Sequence, residues 1–150
     1  MTDQTSLHHV VFAISPDRLA DVAAMFTDLG FRFDEAELTE LGICVRLDWD
    51  RGIELISPLP GSTASVALSV SDFLTQHGDG VYTVVIRVPD AAAAEGTAER
   101  HGSTVRFRQE FAGEGSYLDE IDLSVDNKSH IDMKPDSLLV ENPTKVTLKS

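Results

Sequence analysis

The sequence predicts an α+β fold in which two β-α-β-β-β repeats form a curved mixed sheet around a cavity. Three observations predict it. The same order of apolar segments occurs twice; Pro-Asp precedes and Gly follows the helical stretch in both copies; and 150 residues suit one hydrophobic core and would cramp two. The chain 1–150 therefore reads as a single domain, with repeat one at about 7–57, a linker with a short helix at 58–80, repeat two at about 81–134 and a tail at 135–150.

In repeat one, HHVVFAI (8–14) is β-branched and apolar and reads as a strand. Pro16 fixes φ and Asp17 suits a first turn, so a helix is expected to begin near Pro16. Leu19, Val22, Ala23, Phe26 and Leu29 form one apolar stripe at three- and four-residue spacing, and Gly30 supplies the left-handed stop. FRFDEAE, LGICVRLDW and GIELIS follow as extended segments, with Asp50-Arg51-Gly52 turning between the last two. SPLPGSTASVALSVSDFLTQHGDG opens as a Pro/Gly/Ser linker and offers a short helix at 71–77 before Gly78.

Repeat two runs in the same order: VYTVVIRV (81–88), the helical PDAAAAEGTAERHG (89–102), then STVRFRQ, SYLDEIDLSV and SHIDMK. Asp126-Asn127-Lys128 supplies its last turn, and Gly102 answers Gly30. The tail holds at most one edge strand, at 138–141 or 145–148.

Composition narrows the function classes. With 25 Asp plus Glu against 12 Lys plus Arg the net charge is −13, which opposes binding to nucleic acid or to anionic membrane surfaces. No apolar run is long enough to span a bilayer and the first residues lack the pattern of a secretory leader, so a cytoplasmic location is expected. The single cysteine, Cys44, lies in GICVRL and reads as buried packing. No GxSxG, P-loop, dinucleotide fingerprint, CxxC or HExxH occurs, which leaves hydrolase-triad and nucleotide-fold readings without support.

Strand alternation selects the side chains that reach the expected cavity. With Val10, Phe12 and Ile14 on the helix side, His9, Val11 and Ala13 face inward, and His8 turns the other way, so the two histidines are not expected to act on one ion. Ile53 and Leu55 place Glu54 inward, and the same logic places His130 and Asp132 inward on SHIDMK. Carboxylates on apolar strands require partners. A divalent cation would serve, and so would arginines such as Arg46, Arg87 or Arg106. Trp49 reads as a strand-end residue at a rim or cavity mouth.

The opening His9-Val10-Val11-Phe12-Ala13-Ile14, the helix end Asp28-Leu29-Gly30-Phe31 and the strand Ile53-Glu54-Leu55, set in this paired order, resemble the vicinal oxygen chelate (glyoxalase / bleomycin-resistance) superfamily over about residues 7–134. Val70-Ser71-Asp72-Phe73-Leu74 through His77-Gly78-Asp79-Gly80, followed by Val84-Val85-Ile86-Arg87-Val88-Pro89-Asp90, looks most like the methylmalonyl-CoA epimerases within it. The resemblance implies a divalent metal (Co, Mn, Ni, Zn, Fe or Mg) with ligands on the first and last strand of each repeat. Carried onto this chain those ligands are His9, Glu54 and Asp132, and the remaining histidine position holds Thr83. It also implies two carboxylate bases for epimerisation; one falls on Asp132, and the position of the other holds Val45.

The resemblance thus points to an isomerase, epimerase or lyase acting by metal-assisted enolisation on a small oxygenated acid or acyl-CoA thioester. Glu54 and Asp132 would be its catalytic residues, and Arg87 and Thr83 would bind substrate. With Val45 at the second base position, two-base epimerisation of methylmalonyl-CoA lacks a partner. The alternative is a metal-free small-molecule binding protein of the antibiotic-sequestering, bleomycin-resistance kind. A homodimer is expected under either reading.

Overall fold

The computed structural model describes residues 5–111, 116–122 and 145–149. The chain divides into two compact units, His8–Val84 and the remainder, Met1–Leu7 with Val85–Ser150. The α+β class with a mixed sheet stands.

The first unit is built from β1 (Ser6–Ala13), α1 (Leu19–Asp28), β2 (Asp34–Leu38), β3 (Ile43–Asp48), β4 (Ile53–Pro58), α2 (Ser65–His77) and the start of β5 (Gly80–Arg87). Its strands lie in the order β2-β3-β4-β1-β5. β1 runs parallel to β4, with Val11 opposite Glu54, and β3 runs antiparallel to β4, with Leu47 opposite Glu54. Glu54 is therefore flanked on both sides by apolar residues of its own face.

Alternation is obeyed along β1 and β4. Ile14, Leu19, Ala23 and Leu55 form the core between α1 and the sheet, with Phe12, Phe26, Phe33 and Ile53 packed against it. Leu55 is fully buried, a contribution of about 1.5–3 kcal/mol. The opposite face carries His9, Val11, Ala13, Val45 and Ile56, all buried. Cys44 is half-buried and packs on the α1 side, as its apolar setting suggested.

Two boundaries of the first unit differ from expectation. A turn at residues 16–18 precedes α1, whose first helical residue is Leu19. More substantially, α2 begins at Ser65 rather than at 71, because Ala67 and Val70, three residues apart, are both fully buried and draw the Ser-rich stretch into the helix. Gly42 makes room for this packing: a Cβ there would overlap the Ser62 hydroxyl, and its φ of +69° suits only glycine comfortably.

In the second unit, α3 (Ala91–Arg100) starts at Asp90, whose carboxylate accepts from the Ala93 N–H at 3.2 Å, and Gly102 ends it with positive φ. β6 (Thr104–Phe111), β7 (Ser116–Asp122) and β8 (Lys145–Lys149) follow, in the order β5-β8-β7-β6. β8 is the finding here. It lies between β5 and β7, as β4 lies between β1 and β3, so it is the closing strand of repeat two rather than an edge strand of a tail. Its Val146-Thr147-Leu148 repeats the apolar-polar-Leu pattern of Ile53-Glu54-Leu55. The segment 129–134, to which the sequence reading assigned that role, lies outside the described residues, and Asp132 with it.

Candidate functional site

The inward face of β1 and β4 is apolar apart from one pair of ionisable groups. His9 is 5% exposed and its Nε2 lies 2.9 Å from Oε2 of Glu54, whose side chain is 17% exposed. Two strands of one parallel ladder position the pair. Val11 stands opposite Glu54 in the register, and His9 precedes Val11 by two residues on the same face. Glu54 thus takes its partner from β1. Arg46 does not serve it: that side chain lies opposite Leu55, on the other face, and pairs with Glu35 at 3.3 Å. Arg87 is exposed at the end of β5, and the side chain of Arg106 lies outside those described.

The histidine doublet corrects the alternation argument. Nδ1 of His8 lies 2.7 Å from Nδ1 of His9, and the edge of the His8 ring meets Trp49 with centroids 5.4 Å apart. Alternation fixes the side from which a side chain leaves the strand, not where its ring ends, and the His8 ring reaches back to that of His9. Beside the doublet stands Gly52, whose φ of +77° closes the turn at 49–52 and whose carbonyl oxygen accepts from the Val10 N–H at 2.9 Å. Trp49 also reaches the His9 ring, with centroids 6.3 Å apart. His8 and Trp49 are the residues that the sequence reading undervalued; a His-His doublet facing a Trp across the tight turn at 49–52 was the signal for them.

That turn is held by Asp48. Its buried carboxylate accepts from the backbone N–H of Arg32 at 2.8 Å and from the backbone N–H and guanidinium of Arg51, both at 3.1 Å. The Arg32 N–H above all, with Arg51 adding to it against the cost of burial, holds the Asp48 carboxyl below its ordinary value. Elsewhere in the unit, Asp79 ties the α2–β5 connection to the start of α1. It accepts from the N–H and hydroxyl of Ser15 at 2.9 Å, and Arg18 Nε stands 2.8 Å away as an ion pair.

Of the other expected site residues, Thr83 is buried on β5, and Tyr82 beside it shares a 2.6 Å hydrogen bond with Ser69 of α2. Val45 is 2% exposed, packed opposite Ile56, and brings no second carboxylate to this face. Asp132 lies outside the described residues.

The divalent ion implied by the resemblance would need donors from four strand positions. His9 and Glu54 are suitable donors and stand side by side, but the matching position of β5 offers only the neutral hydroxyl of Thr83, a weak ligand for Co, Ni, Zn or Fe. No group of three His, Cys, Asp or Glu side chains able to hold a metal ion occurs among the described residues. These residues do not fit the four-donor site. Nor is any helix among the described residues long and apolar enough to cross a membrane.

Comparison with solved structures identifies the fold. The hypothetical protein BH1468 from Bacillus halodurans C-125 superimposes with a TM-score of 0.66 at 13% identity, over 98% of this chain and 94% of that one. Methylmalonyl-CoA epimerase from Mycobacterium tuberculosis gives 0.60 at 18% identity, over 99% and 90%. A Streptomyces coelicolor methylmalonyl-CoA epimerase variant in complex with 2-nitronate-propionyl-CoA gives 0.63 at 17% identity, over 96% and 92%. No family sequence model matches the chain, and no curated protein matches it by sequence. The fold is that of the vicinal oxygen chelate, or glyoxalase, proteins.

Proposed function

We propose that this protein is an isomerase or lyase that removes a proton from the carbon next to a carbonyl of a small oxygenated acid or acyl-CoA thioester, with Glu54 as the base. The observation behind this reading is the Glu54–His9 contact on an otherwise apolar face. Glu54 is the more accessible partner, and His9 lies behind it with Nε2 on one carboxylate oxygen, which leaves the other oxygen to take the substrate proton. Low dielectric surroundings strengthen the hydrogen bond that orients the carboxylate. With Val45 in place of a second base, the single carboxylate suits a proton shift or an elimination better than a two-base inversion at one carbon.

Substrate recognition in this proposal falls to the Thr83 hydroxyl, in the same unit as Glu54; Arg87, expected from the sequence to bind a carboxylate through two N–H groups, belongs to the other unit. The acyl-CoA class is suggested by the ligand of the Streptomyces coelicolor neighbour, and Asp132 stays a candidate for a second acid. Thr83 stands where the divalent ion implied by the resemblance would take a histidine. A homodimer in solution belongs to the same proposal.

The test is incubation of the purified protein in deuterated water with 2-substituted acyl-CoA thioesters and small keto and hydroxy acids, followed by mass spectrometry. Deuterium uptake at the α-carbon of at least one class, lost in Glu54→Gln, is the expected result. A ligand that raises the melting temperature but never exchanges its α-hydrogen would favour the small-molecule binding protein instead.

A further inference from the structure

We infer that Trp49 is a specificity-determining residue beside the Glu54–His9 pair, stacking on a flat aromatic group that the substrate carries near its reacting carbon. The inference rests on the proton-transfer reading above and deepens it by naming the substrate class. Tryptophan is highly buried on average, yet Trp49 is 51% exposed. Two imidazoles cover part of it: the His9 ring lies 6.3 Å away between centroids, tilted by 31°, and the His8 ring 5.4 Å away, tilted by 81°. The indole and the Glu54 carboxylate thus border the same residue, Glu54 through its 2.9 Å contact with His9 and Trp49 through its ring. A molecule that presents its α-hydrogen to Glu54 comes within reach of the exposed part of the indole.

The turn that carries Trp49 is fixed before any ligand arrives. The Asp48 carbonyl accepts from the Gly52 N–H at 2.8 Å, and the Asp48 carboxylate holds the backbone N–H groups of Arg32 and Arg51. An indole already held in place loses little freedom on contact, which is what a recognition surface needs. The chemistry of its partner follows from the indole itself. It offers no ion pair to the carboxylate or thioester end of the substrate; it offers a flat π surface, matched best by a second ring in an offset or edge-on arrangement. An alkyl group gains contact area there but not that geometry.

Trp49 is the chain's one tryptophan, so tryptophan emission reports on this place alone. The experiment measures dissociation constants for two matched pairs of acids, phenyllactate with lactate and phenylpyruvate with pyruvate, by calorimetry on wild type, Trp49→Phe and Trp49→Leu, and follows the wild-type emission in the same titrations. The aryl acid of at least one pair is expected to bind wild type more tightly than its alkyl partner and to change the emission. Trp49→Leu is expected to lose about 2–12-fold of that preference, the worth of one aromatic pair, and Trp49→Phe to keep most of it. In α-exchange the same loss should fall on KM, with kcat retained. Aryl acids that bind no more tightly than their alkyl partners, an emission unchanged at saturation, or a full preference in Trp49→Leu overturns the inference. Binding is read without turnover, so it decides the role of Trp49 even if no acid exchanges its hydrogen; exchange that runs equally well on alkyl and aryl acids removes Trp49 and leaves Glu54 in its role.

Discussion

Repeat one places His9 beside Glu54, whereas the first strand of repeat two holds Thr83, and β8 carries Val146-Thr147-Leu148 where β4 carries Ile53-Glu54-Leu55. The two halves share an element order and a strand order, yet the first strand of one carries a histidine paired with a carboxylate and the first strand of the other carries a threonine. Duplication preserved what the fold needs, namely the apolar alternation and the glycine stop after each helix. Thr83 of repeat two stands where repeat one has His9. A threonine hydroxyl donates and accepts hydrogen bonds but takes no proton near neutrality, so in the proposed reading the base is Glu54 of repeat one and Thr83 serves recognition.

The comparison can be broken most sharply at Glu54. Glu54→Gln keeps the shape and removes the base, and α-exchange is expected to fall by about 10²–10⁴-fold with little change in melting temperature. A fall of less than tenfold would show that the base lies in repeat two after all. A smaller effect is expected at Thr83, where Thr83→Val removes one hydroxyl: KM should rise by about 2–12-fold, the worth of one ordinary hydrogen bond, with kcat retained. Equal losses at Thr83 and Glu54 would erase the asymmetry between the halves.

The smallest effect concerns the turns that close the repeats. β3 and β4 are joined by a short turn held by Asp48, whereas residues 123–144 lie between β7 and β8. Because folding lowers the Asp48 pKa, its stabilisation is complete above the usual carboxylate value of about 4 and is lost as pH falls through the lower folded value. Asp48→Asn is therefore expected to melt lower than wild type at neutral pH and to converge with it in acid. Parallel curves down to the lowest pH would remove Asp48 from this role.

The same contrast explains what could be read from the sequence. α1 and α3 were legible because their stops at Gly30 and Gly102, and the Asp90 cap, are local chemistry. The facing of His9 and Glu54 was legible because alternation depends only on neighbours along a strand. The early start of α2 was hidden, since Ser65, Ser69 and Ser71 read as linker until Ala67 and Val70 are known to be buried. The closing strand of repeat two was hidden for a non-local reason. Asp126-Asn127-Lys128 gives a strong turn signal, while Lys145-Val146-Thr147-Leu148-Lys149 reads like an exposed edge, and only pairing with β7 reveals its place in the sheet. His8 was missed because alternation gives only the side from which a ring leaves the strand, and the contacts of its ring with His9 and Trp49 are not local to the strand pattern.

The most direct measurement is α-hydrogen exchange in deuterated water by chelator-treated wild type and Glu54→Gln, run side by side on the substrate found. The chelated wild type should keep more than about half its rate while Glu54→Gln loses at least about 100-fold. Exchange that disappears on chelation and returns with cobalt or manganese, or that survives in Glu54→Gln, contradicts a metal-independent base in repeat one.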